Sequence, residues 1–309
     1  MDNTQFPITI IMPVYNRAAI VGRTLRSIAT QTFRPLRVII VDNGSTDGTA
    51  TVVADWKEEN ENAGFSIDIL HESIPGAPAA RNRGLAETTS EYVMFFDSDD
   101  IMHPTHVERA MKGFRHPSRP DIVGWDATIH DIHSHTRRAI FSAASPLWHD
   151  IMNGGMATQR YAARTSIIRK AGGWNTSIHG WNDIELGARI LRLSPTMMKL
   201  RGAPTVEIFQ QCESITGTGF TQGAGKWEAS LDAIEATLDT ARHRRWVHLR
   251  RTHLAGLYAS EGSPALSNKL MASTLSTERC PFYRMLFHAV YALTSRRIRG
   301  ALVLFRPFF

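Results

Sequence analysis

The chain has 309 residues, 43% of them hydrophobic and 21% charged, with a formal net charge of +6. That balance matches an ordinary globular protein and excludes a disordered or fibrous one. At about 100–200 residues per domain, the length corresponds to one large domain or two ordinary ones.

The first hundred residues alternate strand and helix signals. Ile8 to Val14 is an apolar run that ends in a Pro and a Tyr-Asn turn, and residues 19–30 carry Ile20, Val21, Leu25 and Ile28 on one helical face. Leu36 to Val41 reads as a second buried strand. The turn-rich NGSTDGT at 43–49 leads into a helix with Val52, Val53 and Trp56. Phe65 to Leu70 alternates as a third strand, Pro75 to Pro78 is a loop, and a helix spans about 79–88. Tyr92 to Phe96 is a fourth strand that ends directly in Asp97-Ser98-Asp99-Asp100.

This order predicts a mostly parallel sheet with helices on both faces. Ligands of such sheets sit at the carboxyl ends of the strands. Tyr15-Asn16, Asp42-Asn43 and Asp97 to Asp100 all fall there, so they are expected to share one cleft. Residues 115–180 are less regular and rich in His, Trp and Gly. A buried helix is expected from about Asp183, and the chain from Lys226 onward reads as helical and increasingly basic.

Asp97-Ser98-Asp99 is the chemical centre of this reading. Two carboxylates one residue apart, after a buried strand, suit one hard divalent cation such as Mn²⁺ or Mg²⁺. Taken alone, the same tripeptide is also a turn before the helix that Pro104 opens. The histidines at 130, 133 and 135 have no fourth ligand at zinc spacing and read as a polar loop. Cys212 and Cys280 form no ligand cluster and read as reduced thiols of a cytosolic protein. The first residues lack the basic start and cleavage site of a signal peptide, and no 18-residue apolar run exists.

Four motifs in order carry a resemblance: IIMPVYN through VDNGSTDGT, PGAPAARNRGL, EYVMFFDSDD, and AGGWNTSIHGWNDIELGARIL. Over residues 8–216 the chain resembles the family 2 glycosyltransferases of GT-A fold. The resemblance implies a Rossmann-like, mostly parallel sheet in a domain over 1–225, with a nucleotide-sugar half at 1–114 and an acceptor half at 115–225. A basic helical extension follows at 226–309. It implies an inverting transfer from a nucleotide diphosphate sugar, with Pro13, Tyr15, Asp42 and Asn43 at the base and ribose and Arg81 near the nucleotide. Asp97 would meet the ribose, Asp99 the metal between the phosphates, and Ser98 lies between them. Both aspartates are candidate metal ligands, and Asp100 either orients them or caps the next helix.

The resemblance also implies that Asp183 is the general base, because inversion needs a carboxylate to take the acceptor hydroxyl's proton. Asn182 stands where the family usually has a first acid, and Asn43 where it usually has a second aspartate. The Asn43 amide offers both a donor and an acceptor, which suits the uracil edge. Trp181, beside the base, is the candidate sugar-stacking ring. Gln211 stands about where a family segment carries a His, so a third protein ligand to the metal is not expected.

From Arg242 to Phe309 there are 12 Lys and Arg against 2 Asp and Glu, a balance of +10 that leaves −4 for the rest of the chain. Arginines interleaved with aromatic residues fit a peripheral site on an anionic membrane, on the inner face of the cell membrane, or packing on the body of the protein alone, and predict no nucleic-acid partner. A membrane site would favour a saccharide or lipid-linked saccharide acceptor. Two other functional classes share parts of this pattern. A sugar nucleotidyltransferase should carry a Gly-rich basic loop after the first strand, where this chain has PVYNRAA. A non-catalytic nucleotide- or saccharide-binding protein has no need of Asp99 and Asp183.

Overall fold

The computed structural model describes residues 6–211, 219–298 and 300–308. Cys212, the rest of the QCESIT segment after Gln211, and Arg299 lie outside the described residues. The chain opens with β1 (Ile8–Val14), α1 (Val21–Ala29), β2 (Leu36–Asp42), α2 (Thr49–Asn60), β3 (Phe65–His71), α3 (Ala77–Glu87) and β4 (Tyr92–Phe95). Strands β4, β1, β2 and β3 are neighbours and run parallel, as expected for apolar strands joined through helices. Ile8, Ile10, Ile11 and Met12 of β1 are fully buried, which fits a central strand covered on both faces.

The irregular middle resolves into short elements. They are β5 (Ile101–Met102), α4 (His106–Phe114), β6 (Ile122–Gly124), β7 (Ala127–His130), β8 (Thr136–Ala139), α5 (Pro146–Asn153), a 3₁₀ turn (Thr158–Arg160), β9 (Tyr161–Arg164) and α6 (Thr165–Lys170). Then come α7 (Asn182–Arg192), β10 (Met197–Lys199) and β11 (Val206–Phe209). The main sheet has the order β10-β6-β9-β4-β1-β2-β3, with β9 antiparallel to both of its neighbours. A second sheet, β5-β11-β7-β8, stands beside it. The His-rich stretch 129–135 is the turn of the β7–β8 hairpin, where Asp131 accepts from the backbone N–H groups of His133 and His135.

Beyond residue 223 the chain is helical: α8 (Ala224–Ala236), α9 (Ala241–Ser260), α10 (Pro264–Thr277) and α11 (Pro281–Ser295). These helices share a buried cluster with α5 and α7: Trp148, Ile151 and Ile184 pack with Trp227, Val247, Leu254 and Phe287. Leu286, Phe287 and Leu302, apolar residues that stand among the arginines of the basic tail, are buried in this cluster. The apolar stripe of the tail is therefore divided between an inward and an outward face.

Candidate active site

Each wall of the cleft is set by local structure. Helix α3 lies tight on the sheet because Gly84 faces Ile11. A Cβ at that position would come within 2.5 Å of the Ile11 Cγ2 atom. That approach carries Arg81, one turn earlier, under the end of β4. Its Nη2 donates to Asp97 Oδ1 at 2.7 Å and its Nη1 to Asn182 Oδ1 at 3.3 Å. Its guanidinium lies 4.3 Å over the ring of Trp174. Trp174 is thereby a buried structural ring, and Asn82 holds it in place with two hydrogen bonds to its backbone.

Pro13, Tyr15, Asn43, Arg81, Asp97, Ser98 and Asp99 line one cleft of about 860 Å³. Trp181, Asn182 and Asp183 line the same cleft. Asp42 stands at the margin, where its Oδ1 accepts from the Ser45 N–H and hydroxyl. Asn43 has its amide spent on the adjoining loop. Its Nδ2 donates to the carbonyls of Glu72 and Ile74, both at 2.8 Å, and its Oδ1 accepts from Gly76 N–H at 2.6 Å. Gly76 has φ +113, a conformation that L side chains rarely adopt, so glycine is needed where this loop enters α3. Asn43 thus shapes the 72–76 wall, and its amide is not open to a base edge in the way its donor and acceptor alone suggested.

Asp97 is held on both oxygens, by Arg81 and by Gln159 Nε2 at 2.5 Å. Burial, and then the charge of Asp97, pushes the Asp99 carboxyl up to about 6, against the pull of Arg17 and Arg23. Asp100 caps no helix. Its Oδ1 accepts from Phe209 N–H at 2.9 Å, its Oδ2 is buried without a partner, and burial drives its carboxyl well above the usual range. Strand β11 competes for this side chain, and α4 starts without any side-chain cap.

Among the described residues no three His, Cys, Asp or Glu side chains are grouped as a metal cage. What fits a hard cation is the crowding of like-charged oxygens at Asp97, Asp99 and Asp100, a repulsion that a cation facing Asp99 relieves.

Asp183 sits in the first turn of α7, and its Oδ1 accepts from Ile184 N–H at 3.0 Å. Burial raises its pKa. The Ile184 N–H and the charge of Arg81 oppose that rise, and Asp97 adds to it. The residue before it, Trp181–Asn182, carries unusual backbone: Trp181 has φ +39, in the left-handed region that a bulky side chain seldom occupies. Trp181 is packed by Trp227 (centroids 4.9 Å), by Phe220 (6.1 Å) and by the Arg250 guanidinium (4.6 Å). The helices after 223 thus buttress the wall that carries Asp183.

Family membership follows from the chain itself. The profile of the family described as Glycosyl transferase family 2 matches residues 9–164, half of the chain. The chain belongs to this family. Among curated relatives, the uncharacterized glycosyltransferase YibD of Escherichia coli K12 is 34% identical over 111 residues. That alignment covers 36% of this chain and 31% of YibD, so the chain matches only about a third of that relative.

Two solved structures share the whole fold. TarS of S. aureus (residues 1–349, in complex with UDP-GlcNAc) matches with a TM-score of 0.66 and 15% identity, over 98% of this chain and 92% of TarS. The mannosyltransferase PcManGT of Pyrobaculum calidifontis, in complex with GDP-Man and Mn²⁺, matches with a TM-score of 0.58 and 18% identity, over 98% and 86%. The fold shared with these two structures therefore extends through the helical C-terminal region.

Several lining residues of this family 2 chain had no sequence signal. Arg17 lies between the Tyr-Asn turn and the helix read over 19–30, and no spacing singles it out. Thr158 and Gln159 lie in a 3₁₀ turn inside the irregular region, where neither periodicity nor spacing points to them.

Proposed function

We propose that the protein is an inverting glycosyltransferase that moves a hexosyl or N-acetylhexosaminyl group from a UDP-sugar to a hydroxyl of a saccharide or lipid-linked saccharide. One observation carries this reading. Asp97, Asp99 and Asp183 line one cleft, and Arg81 bonds both to Asp97 and to Asn182, the neighbour of Asp183. The uridine would lie at Pro13, Tyr15 and Asp42, beside the loop that Asn43 holds. The diphosphate would lie at Ser98 and Asp99 near Arg81.

Asp183 would take the acceptor hydroxyl's proton as its oxygen bonds to the anomeric carbon. The bond from that carbon to the phosphate oxygen breaks, and the electron pair leaves with UDP. A divalent cation such as Mn²⁺ or Mg²⁺, held by Asp99 with Asp97 beside it, would supply charge stabilisation for the leaving diphosphate. Incubation with UDP-sugars and Mn²⁺ tests the reading: release of UDP supports it, and absence of UDP release from every common UDP-sugar, with or without saccharide acceptors, refutes it.

The base preference is a separate expectation. UDP should bind at least tenfold more tightly than GDP, about 1.4 kcal/mol. What supports it is the likeness to TarS in complex with UDP-GlcNAc, since Asn43 holds the 72–76 loop and does not itself select the base. Competitive calorimetry measures the ratio, and equal or tighter GDP binding would move the donor to a guanosine sugar.

We also assign the C-terminal region a peripheral place on an anionic membrane, with domains divided as 1–225 and 226–309. Among the described residues no helix is long and apolar enough to cross a membrane. Phe282, Met285, Ile298, Leu304 and Phe308 are exposed, and they lie among the exposed Arg279, Arg296 and Arg306. Removing the chain from Cys280 onward would take away α11 with Phe287 and Val290 and uncover the α9 residues that they cover, so a truncation confuses anchoring with folding. Paired Phe282→Ser and Met285→Ser substitutions leave that core intact. Wild type should co-sediment with anionic vesicles at low salt and be released at ~0.5 M salt, where screening is short. The paired variant should not sediment, while it still binds UDP. Equal sedimentation of both proteins would defeat the assignment.

A further inference from the structure

Gln159 is the residue of the cleft that neither the sequence motifs nor the proposed chemistry accounts for. Its position is rigid. The side chain is buried, and its backbone carbonyl accepts from Trp125 Nε1–H at 2.9 Å. The orientation of its amide follows from its neighbours. A carboxylate only accepts hydrogen bonds, so the group facing Asp97 Oδ2 at 2.5 Å must be the –NH₂.

With the nitrogen committed to that wall, Oε1 faces away from it. Oε1 has no hydrogen-bond partner among the described residues, and it is not one of the sealed, unpaired polar atoms of the interior. Gln159 and Thr158 line the cleft together with Asp97 and Asp183. Gln159 thus joins the acid at the end of β4 to the same cleft that Asp183 lines. Of the two ends of a UDP-sugar, the sugar ring is the part that must lie near Asp183 if the anomeric carbon is to be reached by the acceptor that it deprotonates.

We infer that Gln159 is a donor-sugar recognition residue: its Oε1 accepts a hydrogen bond from a hydroxyl or amide N–H of the transferred sugar, while its Nε2 holds Asp97. The inference rests on the UDP-sugar reading of the cleft. It deepens that reading by naming the side chain that senses the sugar rather than the nucleotide. An acceptor-only oxygen at this point favours a sugar that keeps a free O–H or N–H there. It disfavours one that is deoxygenated or alkylated at the same position, because the buried amide oxygen is then left unpaired.

The test is a double-mutant cycle between protein and ligand, read by calorimetry in the presence of Mn²⁺. The probes are UDP, whichever of UDP-glucose, UDP-galactose and UDP-N-acetylglucosamine binds wild type most tightly, and the monodeoxy analogues of that donor. Gln159→Leu should weaken the intact UDP-sugar by roughly three- to tenfold more than it weakens UDP, the size of one neutral hydrogen bond. For one analogue, the variant's loss should shrink to the loss that it shows with UDP. Gln159→Met, of similar length, gives the same readout should the leucine variant fail to fold. Equal weakening of UDP and UDP-sugar would show that Gln159 acts only through Asp97, and the inference falls. It falls equally if every analogue keeps the wild-type advantage. If wild type binds none of the three donors, the UDP-sugar reading itself is lost.

Discussion

Alanine in place of Asp99 is expected to abolish the gain in UDP affinity that Mn²⁺ confers, while UDP binding without metal changes little. The three acids that follow β4 are not equivalent. Asp97 has both oxygens occupied by Arg81 and Gln159, and Asp100 is turned inward onto Phe209 N–H. Among the described residues only Asp99 lines the cleft with a carboxylate that no other residue engages by a hydrogen bond, since Arg23 donates to its backbone carbonyl instead. Its carboxyl titrates near 6 because it is buried beside Asp97. A cation needs the ionised form, so the metal-dependent gain should fall as the pH drops through about 6 and be fully present above about 7. Calorimetric titrations of UDP across that range, with and without Mn²⁺, measure both effects. An Asp99→Ala protein with an undiminished metal gain would place the cation elsewhere.

The strands and the first three helices could be read from the sequence because their signals are local. Apolar runs of buried parallel strands, the turn at 43–49 and the glycine before α3 each act within a few residues. The end of β4 in Asp97 to Asp100 was legible for the same reason. What could not be read was the region where long-range pairing decides the structure. Strands β6, β9 and β10 are three or four residues long and are held by partners up to about 75 positions away, as in Ile122 with Met197. Such strands carry too few residues for a period of two to show.

The site divides in the same way. Candidate residues at strand ends and at the start of α7 lie together in the cleft, because strand direction places carboxyl ends on one side. The chemistry of individual side chains was less accessible. Asn43 was expected to present its amide to a base, but the loop that it would have to leave free is the one that it holds. Asp100 could have capped α4, yet a backbone N–H 109 residues away takes its carboxylate. In both cases a distant partner outcompetes the local role, and nothing in the neighbouring sequence announces that partner.

Replacement of Asp183 by asparagine should slow transfer by about 10²–10⁴-fold, the usual contribution of a general base, with UDP affinity nearly unchanged. The substitution is close to isosteric. The asparagine Oδ1 can still accept from Ile184 N–H, so the start of α7 should remain in place. The loss is then confined to proton transfer. The pH profile separates this role from a structural one. Burial raises the Asp183 pKa, and the acid limb of wild-type turnover should lie above the ordinary carboxylate range. The base works only when ionised, so activity falls as the pH drops through that raised value. Residual turnover of Asp183→Asn should lose this limb, because its amide does not titrate. The limb set by Asp99, read separately from UDP binding, should persist. Loss of UDP affinity in parallel with turnover would mean that Asp183 holds the cleft together rather than taking the proton. An unchanged acid limb in a variant of normal affinity would assign that titration to another group.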